Sequence, residues 1–124
     1  MGEQRARRSR ASAKAAGARF ERAQADWLAV RLGSDHIDRR VKTGAADKGD
    51  IGGVRLRTGE RVVIECKDYG GQVLLAPWTA EAEAERVNDG AHVGVVMAKR
   101  RGTTVPGAQW VVMTAEMFAR LVEA

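Results

Sequence analysis

The chain has one cysteine, Cys66, so no internal disulfide can form, and a lone thiol suits a reducing cytoplasm. Its two histidines, His36 and His92, have neither metal-ligand spacing nor a cysteine partner, which argues against zinc. Gly-Lys-Thr is absent as part of a phosphate-cradling loop, so an NTPase is unsupported. Ser9, Ser12 and Ser34 lie in poor contexts for a nucleophile, and no Ser-His-Asp arrangement is visible. No apolar run approaches the length of a membrane span. The first residues lack the large apolar side chains that an interfacial anchor or a secretory signal needs, so no membrane partner is expected. There is no internal repeat and no interdomain linker.

A length of 124 residues points to one domain. A chain of this size buries roughly two-thirds of the surface its unfolded form exposes, enough for a real core. The hydrophobic fraction of 44% fits a globular protein. Net charge is +5, and its placement matters more than its size. Residues 1–22 carry seven Lys/Arg (Arg5, Arg7, Arg8, Arg10, Lys14, Arg19, Arg22) against Glu3 and Glu21. The other 102 residues hold fourteen charges of each sign. The excess therefore sits in one arm, as expected for a polyanion partner. Residues 1–10 are either a solvated terminus or a DNA-contacting arm, and 11–124 form the domain.

Apolar spacing predicts a helix over Ala11 to Leu32, with Ser12 or Ser9 as N-cap and Gly33-Ser34 closing it. Phe20, Trp27, Leu28 and Leu32 form its buried stripe, with Ala16, Ala23 and Ala25 filling in. Glu21 lies near the edge of that stripe. His36 to Val41 reads as a short edge strand. Lys42 to Gly49 is a small-residue loop of the kind that adjusts to a substrate. Asp50 to Arg57 and Arg61 to Lys67 read as a hairpin, with Gly52-Gly53 a possible bulge. Then come a helix from Trp78 to Asn88 after Pro77, a strand from His92 to Ala98, the basic loop Lys99-Arg100-Arg101-Gly102, a strand from Gln109 to Met113 and a helix from Ala115 to Val122. The order α-β-β-β-α-β-β-α predicts a mixed α/β sheet flanked by helices.

Alternate residues of a strand share a face, so Glu65 and Lys67 point one way while Ile64 and Cys66 point into packing. If Thr58-Gly59 is the hairpin turn, or Arg57 to Glu60 a four-residue loop, Asp50 opposes Lys67 and joins that face. A three-residue loop places Asp50 on the far face unless Gly52-Gly53 bulges. The set suits phosphodiester hydrolysis, which needs charge stabilisation and a nucleophile near neutral pH, both of which a divalent ion assists. Mg²⁺ takes oxygen ligands, and Asp50, Glu65 and the backbone carbonyl of Cys66 supply them, with Mn²⁺ expected to substitute. Lys67 is placed to orient the attacking water, and Glu21 to bind a second ion or a metal-bound water.

Gly49-Asp50-Ile51, with Glu65-Cys66-Lys67 fifteen residues on and a preceding helix carrying Glu21, resembles the PD-(D/E)XK nuclease superfamily. The αβββαβ order is similar to that superfamily's restriction-endonuclease-like core. Trp78 opening a helix through Glu81-Ala82-Glu83-Ala84-Glu85, then Gly94-Val95-Val96, then Lys99-Arg100-Arg101-Gly102, resembles the Holliday junction resolvase-like nucleases of actinobacteriophages. The likeness covers most of residues 18–122. It implies that Asp50 and Glu65 bind metal, that Lys67 is the catalytic lysine and that Glu21 is the helix acid. Gly49 stands where the superfamily's name has proline, and Thr43 offers a hydroxyl in the preceding loop.

Asp47 and Asp68 read as loop or turn residues, and Cys66 as a small buried hydrophobe. His92 is a strand-start residue or a supporting acid. Trp27, Trp78 and Trp110 read as core or dimer contacts. Lys99, Arg100 and Arg101 are either a solvated loop tip or phosphate contacts, and Lys42 and Lys48 join them as candidate DNA-binding cations. The expected activity is Mg²⁺-dependent cleavage of branched DNA by a homodimer whose two-fold axis matches that of a four-way junction. A repair or restriction-type endonuclease on duplex or flap DNA, and a non-catalytic basic DNA-binding module, are the other readings.

Overall fold

Helix capping decides where the first element starts in this structure, a computed structural model that describes residues 8–41 and 46–124. The expectations for Arg5, Arg7, Lys42 and Thr43 lie outside those residues. Helix α1 spans Arg10–Leu32, and Ser9 rather than Ser12 caps it. The Ser9 hydroxyl accepts from the Ser12 N–H at 3.0 Å, meeting a donor that a helix start leaves over. Left-handed Gly33 ends the helix. The buried stripe repeats every fourth residue, Ala16, Phe20, Gln24 and Leu28, with Ala25 beside it. Two expected members are corrected. Ala23 faces solvent. Leu32 is 54% exposed, because it borders the irregular Gly53 and Arg55 stretch instead of a strand. Gln24 can be buried because its amide donates to the Pro106 carbonyl at 3.2 Å.

Among the described residues five short strands follow in the expected order: β1 Asp38–Arg39, β2 Ile51–Gly52, β3 Val62–Lys67, β4 Val93–Ala98 and β5 Trp110–Val112. They form one mixed sheet ordered β1-β2-β3-β4-β5, in which only β3 and β4 run parallel. The crossover between those two is α2, Leu75–Asp89, and α3, Ala115–Glu123, follows β5. Helix α2 starts three residues before Trp78, so Pro77 sits in its first turn, where a missing N–H breaks no helical bond. The edge strand expected over His36 to Val41 is confined to Asp38 and Arg39. No helix among the described residues is long and apolar enough to cross a membrane.

The sheet's two faces are covered differently. Val62, Ile64 and Cys66 of β3 pack with Val93, Val95 and Met97 of β4 against Phe20 and Leu28 of α1 and Met117 of α3. Val96 and Ala98 face the other way, against Trp78 and Ala82 of α2. By the same alternation Glu65 and Lys67 lie on the α2 side. Gly94 lets that helix approach, since a Cβ there would stand 2.9 Å from the Ala82 carbonyl oxygen.

The hairpin register differs from the expected one. The loop is Arg57-Thr58-Gly59, closed by the Leu56 N–H donating to the Glu60 carbonyl at 2.8 Å, with Gly59 left-handed. Arg55 therefore opposes Arg61, yet Ile51 opposes Ile64. Three residues, Gly52 to Val54, face two, Val62 and Val63, and this is a β-bulge. A three-residue loop alone would turn Asp50 to the far face, and the bulge turns it back. Asp50 thus comes level with Glu65, not Lys67. Gly53 carries the bulge at φ 87°, and a Cβ there would stand 2.0 Å from the His36 carbonyl oxygen.

Gly53→Ala should therefore cost about 2 kcal/mol or more, since it combines a disfavoured φ with a backbone clash. Gly17→Ala, in α1 with nothing within 4 Å of the added carbon, should instead stabilise by up to about 1 kcal/mol. Urea unfolding of the two variants checks both signs.

Candidate metal centre

The register fixes the first carboxylate. The Asp50 N–H donates to the Ile64 carbonyl at 2.9 Å, and Asp50 Oδ2 accepts from the Cys66 N–H at 2.8 Å. These two bonds hold a 2%-exposed side chain against β3. Glu65, 4% exposed, lies on the same face. Helix α2 brings Glu81 and Glu85 over it, four residues apart and so on one side of the helix. Lys67 Nζ sits 2.7 Å from Glu81 Oε1 and 3.3 Å from Glu65 Oε2. Asp47 enters from the loop before β2, its Oδ1 accepting from the Gly49 N–H at 3.0 Å. Carboxylate oxygens of Asp47, Glu65 and Glu85 all lie within 4.8 Å of one another.

Two of these acids carry oxygens that no described donor meets. Among the described residues, Glu65 Oε1 and both carboxylate oxygens of Glu85 are buried without a hydrogen-bond partner. Burial, then Glu81 and the charge of Asp50, pushes the Glu65 carboxyl far above the ordinary carboxylate range. Burial likewise raises Glu85, to about 7; contact with Glu65 opposes the rise, and Asp47, Glu81 and Asp50 add to it. For Lys67, burial pulls downward, but Glu81 and Glu65 outweigh it and hold the ammonium above its usual value. Glu81 is lowered: burial works against ionisation, and Glu65 and Lys67 overcome it. Lys67 is thus held by Glu81 at the shorter contact and by Glu65 at the longer one.

Glu21 is buried and paired with Arg39, whose Nη2 lies 3.0 Å from Glu21 Oε1. It lines one open cavity of about 1000 Å³ together with Asp47, Asp50, Glu65, Cys66, Lys67 and Glu81. Arg8 and Arg101 line the same cavity. Arg8 pairs with Asp68 at 3.4 Å, and the Arg101 guanidinium donates to the Gly70 carbonyl. Asp68 is a turn residue whose Oδ1 also accepts from the Gly70 N–H. Lys99 Nζ donates to the carbonyls of Arg100 and Thr103, and Arg100 stacks over Trp110 at 4.6 Å. Arg10, Lys14 and Lys48 are exposed. Cys66 is buried, Trp78 is in the core, and His92 pairs with Glu60 at 3.1 Å.

Sequence reasoning passes over three residues of this centre. Asp47 reads as a loop residue. Glu81 and Glu85 read only as members of the helix from Trp78 to Asn88, although the spacing held a signal. Trp78, Ala82 and Glu85 recur at intervals of four and three, so Glu85 falls on the apolar stripe where a glutamate is out of place.

The donor set fits a hard divalent cation. It is all oxygen, it is mostly carboxylate, and it includes buried oxygens that no described group satisfies. Three acids, Asp47, Glu65 and Glu85, could hold a metal ion here.

Without metal, the cluster makes stability depend on pH. A carboxyl whose folded pKa is raised keeps its proton where the unfolded chain has lost it, so its contribution falls as pH rises from the unfolded value. For Glu85 that window runs from 4.5 to about 7. In EDTA, Glu85→Gln should gain on the wild type across this window, by up to about 3 kcal/mol at its upper end. Denaturant midpoints of both proteins at pH 4.5, 6 and 8 check this, and a difference that stays flat with pH would refute it.

Compared with protein-family models, with curated proteins and with solved structures, the chain matches none.

Proposed function

We propose that this chain is a magnesium-dependent, structure-selective DNA endonuclease that makes paired nicks in four-way junctions as a homodimer, in the manner of the Holliday junction resolvases that its sequence resembles. The observation that carries the reading is Lys67, held between Glu65 and Glu81 at 3.3 and 2.7 Å, beside Asp50 in an open cavity. A buried acid pair, Asp50 and Glu65, with Lys67 on the same face of the sheet is what hydrolysis of a phosphodiester asks for.

Asp50, Glu65 and the Cys66 carbonyl are the groups that would hold magnesium, with Glu21 in the same cavity. When bound, the ion would place positive charge against the phosphate and acidify a water. Lys67 meets the negative charge that grows on the phosphoryl oxygens and orients the attacking water through Nζ. Glu81 anchors that ammonium, so Lys67 stays over Glu65 instead of swinging into solvent. Arg8 and Arg101, with the exposed Arg10 and Lys14, would hold phosphates outside the acidic centre and set the position of the strand without reading bases. Selectivity for a junction then comes from the shape of the branched duplex. Two chains related by a two-fold axis would supply the two opposed cuts.

A fixed four-way junction and a linear duplex built from the same arms, each with magnesium, test the reading. The junction should be nicked symmetrically and the duplex spared. Glu65→Gln and Lys67→Ala should each lose on the order of 100- to 1000-fold in cleavage rate while still binding the junction. Binding should weaken steeply between 50 and 200 mM salt, by roughly 1000-fold or more if six or more phosphates are contacted. Equal nicking of the duplex would move the substrate to linear or flap DNA. Undiminished cleavage by both variants would remove the site assignment.

A further inference from the structure

We infer that α2 supplies a metal ligand of its own, and that Asp47, Glu65 and Glu85 form a second divalent-cation position beside the one assigned to Asp50 and Glu65. Glu65 would serve both. The inference deepens the proposed function and rests on it for the first position only.

The carrying observation is Glu85. It is 2% exposed, and both of its carboxylate oxygens lack a hydrogen-bond partner among the described residues. A glutamate on a helix surface normally reaches water, and one turned inward normally meets a donor. This one does neither, although the α2 face it shares with Trp78 and Ala82 would take an apolar side chain at lower cost. Lys67 does not answer it, because its ammonium is engaged by Glu81 and Glu65. One oxygen of Glu85 lies within 4.8 Å of oxygens on Asp47 and Glu65. Ligands on opposite sides of a divalent ion, each about 2.0–2.6 Å from it, stand roughly 4–5 Å apart. The three acids are therefore near enough to share one ion with little side-chain movement.

The backbone is arranged to deliver Asp47 to this spot. Gly49 follows it at φ 92°, so close to β3 that a Cβ would stand 2.8 Å from Val63 Cγ1 and 3.1 Å from the Ile64 carbonyl oxygen. A larger residue would lift the loop off the strand. From the other side, the Asn88 amide of α2 donates to the Asp47 carbonyl at 3.0 Å. Helix α2 thus both presents Glu85 and tethers the loop that carries its partner. Asp47 and Glu65 also line the open cavity, which gives an ion a way in. The chemistry selects an oxygen-preferring divalent cation such as Mg²⁺, Mn²⁺ or Ca²⁺ over a soft metal.

The test is Mn²⁺ titration of the full chain without DNA, with free Mn²⁺ read by electron paramagnetic resonance and heats by calorimetry. Wild type should bind two ions per chain. Glu85→Gln and Asp47→Asn should each bind one, with affinity at the lost position reduced at least tenfold, and Asp50→Asn should keep the Asp47 position. Far-UV circular dichroism establishes that each variant is folded. Should Glu85→Gln not fold, Asp47→Asn decides, since its carbonyl tether to Asn88 remains. Wild type binding fewer than two ions overturns the inference. So does a folded Asp47→Asn whose ion count and affinities match wild type. Two ions bound with no cleavage of any DNA would sink the nuclease reading and leave the second position standing.

Discussion

A carboxylate oxygen taken out of water with no donor to meet it is among the costlier things a fold can hold, and among the described residues Glu65 has one such oxygen and Glu85 two. The arrangement around them follows from one topological constraint. β3 and β4 run parallel, so the chain must cross over between them, and α2 is the crossover. The helix then lies over alternate residues of β3, the set that contains Glu65 and Lys67 rather than Ile64 and Cys66. Gly94 brings it close. Glu85 of α2 is thereby enclosed beside Glu65 of β3, and Lys67 contacts Glu65 and Glu81 but answers only part of the charge.

Asp50 reaches the same face by a different route. Strand pairing has a period of two, so any odd slip reverses every side chain. The three-residue loop introduces one such slip and the bulge at Gly52 to Val54 introduces the other. Neither alone leaves Asp50 beside Glu65. The Cys66 N–H, donated to Asp50 Oδ2, then locks the outcome, which ties the site's geometry to a glycine whose side-chain position is filled by the His36 carbonyl.

This explains which features could be read in the residues alone. The α-β-β-β-α-β-β-α order and the facing of Glu65 and Lys67 come from apolar periodicity, a local signal that the sheet then uses as written. The loop length was not legible. A two-residue and a bulged three-residue hairpin give the same parity, so the expected register was off by two residues while the face was unchanged. The α1 stripe went wrong at Leu32 because periodicity does not say where the opposing strand ends. Glu85 was not singled out because, in a run of alternating Glu and Ala, no one acid stands out. Only its phase with Trp78 and Ala82 marks it as buried. Asp47 had no such phase to betray it, since loop residues carry no period.

Charge counting was the least informative guide at the level of single residues. Lys99, Arg100 and Arg101 form a conspicuous basic run, yet Lys99 bonds loop carbonyls, Arg100 stacks on Trp110 and Arg101 bonds Gly70. Of these three, only Arg101 lines the acidic cavity, where it is joined by Arg8 from the arm. The cavity is therefore lined by acids, with Arg8 and Arg101 beside them. At physiological ionic strength the fields of such charges die away over about 8 Å. Because the buried acids disfavour the fold when they ionise, a cation held by them in the folded arrangement alone would link metal occupancy to fold stability: an ion that relieved the repulsion would stabilise the chain to the extent that it bound tightly.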